Sequence, residues 1–234
     1  MKATFLSKKE EVPGIKTFMF KPSEPYEYIA GQFAFFNFEL NEKSFKKHFT
    51  ISNGPGQENI EFTTIISESK YKQALDSLEV GHEIELSEPM GEFTLEKNKE
   101  KPLAFLQGGI GITPVKSMLE FLADKGVKRD IIIFYSNRTE ERIVFREELD
   151  ELAEKTSAKI VHTLTKLDEK EKKNWAGETG YINKEMIENH LANVTKTFFY
   201  IAGPPKFVEA MQKLLTKDVD ILTKDVAVEN FAGY

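Results

Sequence analysis

Over residues 1–96, apolar and polar side chains alternate in short runs broken by Pro, Gly and Asn. Thr17-Phe18-Met19-Phe20, Phe33-Ala34-Phe35-Phe36-Asn37-Phe38, His48-Phe49-Thr50-Ile51-Ser52, residues 60–66 and Glu83-Ile84-Glu85-Leu86 each read as strands. Many short strands with turn signals between them predict a closed antiparallel barrel. Residues 71–78 break the series with helical spacing. From Lys101 the rhythm changes. Pro102-Leu103-Ala104-Phe105-Leu106 is an apolar run, followed by a Gly loop and a helical pattern over 115–123. Strands are expected at 130–135, 159–164 and 197–202, and helices at 141–154 and 205–215. Alternating strand and helix predicts a parallel sheet with helices on both faces. The change falls in the charged stretch 96–101, so the expected division is a barrel domain at 1–99 and an α/β domain at 100–234. The Lys/Glu run 168–173 reads as a solvated loop.

Composition narrows the chemistry. The 234 residues are 40% hydrophobic and 30% charged, which suits a soluble protein with a real core. There is no cysteine, which excludes a disulfide, a cysteine nucleophile, a zinc thiolate site and an iron–sulfur cluster held by this chain. The four histidines, His48, His82, His162 and His190, have no metal-ligand spacing, so no metal is expected. Net charge is −6; the first 100 residues hold 12 Lys, no Arg and 17 acidic residues. That balance argues against nucleic acid as a partner. All four arginines, Arg129, Arg138, Arg142 and Arg146, lie in the second half, by chance or for planar anion recognition. Apolar runs such as Ile131-Ile132-Ile133-Phe134-Tyr135 are too short to span a bilayer, and no apolar leader follows Met1. No membrane span and a cytoplasmic location are therefore expected.

Three segments carry candidate chemistry. Gly108-Gly109-Ile110-Gly111-Ile112-Thr113-Pro114 follows an expected strand and opens an expected helix, with Thr113 as cap and Pro114 in the first turn. Glycines allow close approach of a ligand, and a helix N-terminus favours an anion. A tight structural turn explains the same residues. Pro114 stands where the common G-x-G-x-x-G fingerprint has its last Gly. Tyr200-Ile201-Ala202-Gly203-Pro204-Pro205 ends another strand at the same expected sheet edge, either as a rigid turn or as part of a shared pocket. Lys47-His48-Phe49-Thr50-Ile51-Ser52 puts Phe49 and Ile51 on one face and His48 and Thr50 on the other, as any barrel strand would.

Taken together and in this order, these segments resemble the ferredoxin–NADP reductase family of flavoenzymes, over nearly the whole chain. Lys47-His48-Phe49-Thr50 is similar to the family's R-x-[YF]-[ST] flavin motif, and residues 69–75 to its segment facing the flavin phosphates. Gly81 and Ser87-Glu88-Pro89-Met90-Gly91-Glu92-Phe93 are similar to its G-D…G-P-x-G-x-F stretch. Gly109-Ile110-Gly111-Ile112-Thr113-Pro114 resembles its nicotinamide-binding G-G-x-G-x-T-P. Tyr135-Ser136-Asn137-Arg138-Thr139, residues 145–149, Trp175-Ala176-Gly177-Glu178-Thr179-Gly180, Gly203-Pro204-Pro205 and the terminal residues 229–234 complete the set.

The resemblance implies an FAD-binding antiparallel barrel followed by a Rossmann-like NAD(P)-binding domain whose tail returns to the flavin. It implies aromatic faces from Phe49 and Tyr234 on the isoalloxazine and a hydrogen bond from Thr50 to flavin N5. Lys47, Lys72 and Ser69 would meet the flavin phosphates. His48, Ile51, Ser52, Thr64, Ile65, Ile66 and Tyr71 complete the implied flavin contacts. Gly109, Gly111, Thr113, Pro114, Ser136, Asn137, Gly203, Pro204 and Pro205 would border the dinucleotide. The implied catalytic set is Thr50, Glu229 and Tyr234, with Glu229 matching a carboxylate that some members use for proton relay and Tyr234 swinging aside for the nicotinamide. Lys47 stands where the family has Arg, which leaves FMN possible beside FAD. Ala202 stands where many members have Cys. Thr165 and Lys166 resemble the Ser-Arg pair of NADP-using members and, with Arg138, tilt the reading from NADH toward NADPH, although Asp168 is near. The implied activity is hydride transfer from NAD(P)H to the flavin and onward to a separate small redox protein of ferredoxin or flavodoxin type. A reductase of free flavin and a non-catalytic flavin-binding electron-transfer subunit are the alternatives.

Overall fold

The computed structural model describes residues 1–95, 98 and 100–231. They form two compact units, one holding residues 1–95 with 113–121, the other 98–112 with 122–231.

The first unit is built on β1 (Lys2–Val12), β2 (Ile15–Pro22), β3 (Phe33–Leu40), β4 (Lys43–Thr50), β5 (Ile60–Ile65) and β6 (Glu83–Leu86), with the short helix α1 (Lys70–Asp76) between β5 and β6. The strands form one antiparallel sheet in the order β4-β3-β6-β1-β2-β5. Its edges meet just past β4, where Ser52 N–H donates to Glu61 O on β5 at 2.8 Å, so the sheet curls on itself. Alternation sends Phe5, Phe18, Phe20, Phe36, Phe38, Phe49 and Phe62 inward. Phe62 is the hub: its ring lies 4.2 Å from Phe36, 4.4 Å from Phe49 and 5.4 Å from Phe18. Such a ring dominates barrel stability, and its loss costs about 3–5 kcal/mol. Residues 113–121 cluster with this unit through a polar clamp on the β4–β5 loop. Ser117 Oγ donates to Asn53 O at 2.6 Å, and Glu120 accepts both from Gly54 N–H and from the buried Lys116 amine.

The second unit holds β7 (Leu103–Gly108), β8 (Ile131–Asn137), β9 (Lys159–Leu164), β10 (Glu178–Thr179), β11 (Phe198–Gly203) and β12 (Val226–Asn230). All are parallel, in the order β10-β9-β8-β7-β11-β12. Every residue of β7, β8 and β11 is buried, as expected for strands covered on both faces. The helices of this unit are α3 (Arg146–Thr156), α4 (Glu169–Asn174), α5 (Lys184–His190) and α6 (Pro205–Lys213); α2 (Thr113–Asp124) follows β7, and its residues 113–121 cluster with the first unit. Among the described residues no helix is long and apolar enough to cross a membrane.

Four local expectations change. β1 runs from Lys2, although its outer half is exposed and shows no apolar period. The α-helix expected from 141 does not form there: a 3₁₀ turn covers Glu140–Arg142, Phe145 sits in the left-handed region (φ 60°), and α3 starts after it. The run 168–173 is no loop: Asp168 caps α4, accepting from Glu171 N–H, while the Glu171 carboxylate accepts from Asp168 N–H. Thr113 is the first residue of α2 rather than its cap, because a 3₁₀ turn, Gly109–Ile112, leads into it.

Candidate functional site

In the second unit, successive strand–helix connections place β8, β9 and β10 on one side of β7 and β11 and β12 on the other. The strand order reverses between β7 and β11, the place where open α/β sheets bind ligands at their carboxyl ends. Two turns leave the sheet there. One is Gly108 to Ile112; the other is Gly203-Pro204, which leads into α6. They interlock. A Cβ on Gly111 would lie 2.3 Å from Ala202 O, and one on Gly203 would lie 2.9 Å from the Phe207 ring. Gly111 therefore serves packing against β11, which corrects the expectation that it opens a path for a ligand. Gly109 is the open position: its φ of 52° favours glycine, and nothing lies within 4 Å of a Cβ built on it. Ile110, Thr113 and Pro114 are buried. Pro204 and Pro205 are exposed.

Two buried polar groups flank these turns. Gln107, inside the otherwise apolar β7, donates from Nε2 to Tyr200 O at 3.2 Å, while its Oε1 has no partner among the described residues. Sequence reasoning missed Gln107; its polarity in a buried strand was the available signal. Glu229 on β12 is in register with Ala202 on β11, and its buried Oε2 also lacks a partner among the described residues. Burial raises its carboxyl to about 7, so it holds a proton near neutrality. Phe231 N–H donates to Gly203 O at 3.0 Å, tying the chain end to the second turn. Tyr234 lies outside the described residues.

A second group forms where β8 and β9 end. Thr165 N–H donates to Asn137 O at 3.0 Å and Lys166 N–H to Arg138 O at 2.9 Å. This brings the exposed Arg138 and Lys166 side by side, next to the buried Ser136 and Asn137. Asn137 Nδ2 has no acceptor among the described residues. An anion at this edge would find two cations and an amide donor.

In the first unit, Thr50 ends β4 opposite Phe33, and Ile51 and Ser52 turn into the interior. Phe49 is 1% exposed, with its ring stacked on Phe62 and the Lys72 ammonium 4.5 Å from its centroid. The stacking surface expected of Phe49 is thus inside the barrel, because its position on β4 faces inward. The outward ring is His48, which contacts Phe33 at 5.1 Å and Phe35 at 5.3 Å. Lys47, Thr64 and Lys72 gather on the inward side. Lys72 is fully buried and donates to Thr64 Oγ1. Burial first and Lys47 second push its amine down to about 6; burial also lowers Lys47. Two lysines opposing each other's charge fit a bound polyanion such as a diphosphate. Ser69 accepts from Lys72 N–H at 3.4 Å and caps α1, while Tyr71 donates to Phe36 O at 3.2 Å. Ile65 pairs with Ile15, and Ile66 N–H donates to Gly14 O, so both are held by the backbone ladder. Among the described residues no His, Asp and Glu cluster could hold a metal ion.

Comparison with known proteins agrees with this layout. Residues 105–213 match the oxidoreductase NAD-binding domain family. The flavohemoprotein of Bacillus subtilis is 28% identical over 222 residues, which is 91% of this chain and 55% of that one. The chain spans about half the length of the curated relatives it matches. The FAD/NAD-binding domain of nitric oxide dioxygenase from Vibrio cholerae superposes with a TM-score of 0.84 at 16% identity, covering 98% of both chains. A ferredoxin NADP⁺ reductase from Neisseria gonorrhoeae with bound FAD and NADP superposes with a TM-score of 0.82 at 21% identity, again over 98% of both. With its antiparallel sheet, a parallel sheet reversing at β7 and β11, and the match of residues 105–213, the chain shares the two-sheet fold of these reductases and carries an oxidoreductase NAD-binding domain.

Proposed function

We propose that this protein is an FAD-dependent NAD(P)H oxidoreductase serving a separate electron acceptor. The observation that carries the reading is the pair of interlocked turns at the strand reversal between β7 and β11, with the open Gly109 on one of them. When bound, the flavin supplies a hydride acceptor for the reduced nicotinamide and a relay of electrons to the next redox centre. The chain's own residues bind and orient. Gly109 admits the dinucleotide backbone, and Gly203 with Pro204 gives it a rigid wall. Gln107 Oε1 offers a buried acceptor beside the turns. Glu229 holds a proton at Oε2 within one strand of Ala202, available for exchange during turnover. Thr50, at the end of β4, would offer its hydroxyl to the flavin, and Lys47 and Lys72 would neutralise its diphosphate, with the Ser69 hydroxyl beside them. Arg138 and Lys166 favour NADPH by receiving a 2′-phosphate.

One observation favours a second reading, reduction of free flavin. With Phe49 inside the barrel, the stacking surface that would retain a flavin is reduced. Rapid loss of added FAD on gel filtration, with turnover of riboflavin, is the outcome that reading expects.

The test of the main reading is Gly109→Val in FAD-loaded protein. A β-branched side chain at φ 52° is strained and fills the open approach. NAD(P)H-dependent reduction of ferricyanide should fall at least about tenfold with bound flavin unchanged. Unchanged kinetics would remove the turn from the dinucleotide site.

A further inference from the structure

Lys72 is an unusual occupant of a barrel interior. Its side chain is fully buried among the phenylalanines, with the amine on Thr64 Oγ1 and 4.5 Å from the centre of the Phe49 ring. A neutral side chain of the same length would fill that space without a desolvation cost. Among the described residues, groups on three elements face it. On β4, Lys47 opposes its charge and Phe49 offers a ring face. On β5, Thr64 accepts its hydrogen bond. On α1 itself, Ser69 accepts from its backbone N–H and Tyr71 is engaged with Phe36 O. Asp76, one turn along α1, is held by Lys8 and Lys16. His48 is the other titratable group on β4 whose protonation Lys47 opposes.

We propose that Lys72 is a proton-linked anchor for the cofactor: its amine takes up one proton from solvent when an anionic flavin diphosphate binds beside Lys47 and Ser69, and releases it when the cofactor leaves. The proposal rests on the flavoenzyme reading above. In the flavin-free barrel the amine is disfavoured as an ammonium by burial and by Lys47, and near neutrality it is largely uncharged. A diphosphate carries negative charge into a region of low dielectric, where one added charge nearby shifts a protonation equilibrium strongly. The proton is supplied by bulk water and buffer, and no bond other than N–H forms or breaks. Cofactor affinity then becomes pH-dependent: above the value of the free amine it falls about tenfold per pH unit, until the amine is neutral in the complex as well.

The experiment is isothermal titration of FAD into flavin-free protein at pH 7.5, in buffers of different ionisation enthalpy. The wild-type chain should take up close to one proton per FAD. Lys72→Met, an uncharged side chain of similar length, should bind FAD with little uptake and with an affinity that no longer depends on pH between 7 and 9. His48→Gln should keep the uptake, which separates Lys72 from the neighbouring imidazole. Tight FAD binding by the wild type without proton uptake overturns the proposal and leaves the flavoenzyme reading standing; so does uptake that persists in folded Lys72→Met. The wild-type buffer series decides even if that variant does not fold. Absence of FAD binding at any pH would overturn the flavoenzyme reading and the proposal together.

Discussion

Replacing Glu229 by Gln tests the electrostatics of the second unit without any ligand. The folded carboxyl titrates near 7, against 4.5 for the ordinary side chain, and burial is the cause. Between those two values the folded state keeps a proton that the unfolded chain has lost. Stability therefore falls as pH rises, by about 1.4 kcal/mol per unit, and is level again above 7. Over the whole window Glu229 removes ~3 kcal/mol, an upper value because partial hydration of a carboxylate moderates the burial cost. Gln has the same shape and no charge. The variant should match the wild type near pH 4 and be more stable by up to ~3 kcal/mol at pH 7.5. Urea unfolding followed by the fluorescence of Trp175, the single tryptophan, reads this directly, since Trp175 lies in the same unit. Other groups there titrate too, including His162, whose pKa burial lowers, but their contributions cancel in the difference between the two proteins. A difference that stays constant from pH 4.5 to 7.5 would refute the buried, proton-holding carboxyl, and with it the proposed role of Glu229 in proton exchange.

Two further predictions concern the same unit. Changing Arg138 and Lys166 together to Ala should raise the Michaelis constant for NADPH at least about tenfold while moving that for NADH far less, because each lost contact to a phosphate is worth roughly 1.5–3 kcal/mol; equal effects on both donors would refute a 2′-phosphate site. Gly111→Ala should destabilise the second unit by about 1–3 kcal/mol in the Trp175 assay, since the new methyl meets Ala202 O at 2.3 Å; a neutral effect would show that the two turns are not rigidly interlocked.

The sequence made the second unit legible because its strands are apolar runs of fixed length between helical patterns. Residues 159–164 match β9 throughout, and the two Gly/Pro turns fall at the edge expected of them. What failed was local. The outer half of β1 carries Ser7-Lys8-Lys9-Glu10-Glu11, which has no apolar face to reveal a strand; backbone pairing with β2 holds it instead. Charge density hid α4, although Asp168 followed three residues later by Glu171 is a helix-start signature. The left-handed Phe145 delays α3, and nothing in its neighbours' polarity announces that. For the candidate site, motif matching named residues and could not say which way they point. Phe49 was assigned a face against the flavin, and strand alternation together with the Phe62 stack puts its ring inside. Gln107 was passed over because no motif contains it, and only its buried, unpartnered Oε1 brings it forward.

The central claim is a nicotinamide-to-flavin reductase, and one measurement addresses it most directly. FAD is added to the purified chain, free flavin is removed, and the visible spectrum is followed without oxygen during titration with NADPH and then with NADH. The account predicts retained flavin absorbance that bleaches stoichiometrically, with NADPH effective at lower concentration. Retained flavin that stays oxidised under an excess of both donors would contradict it.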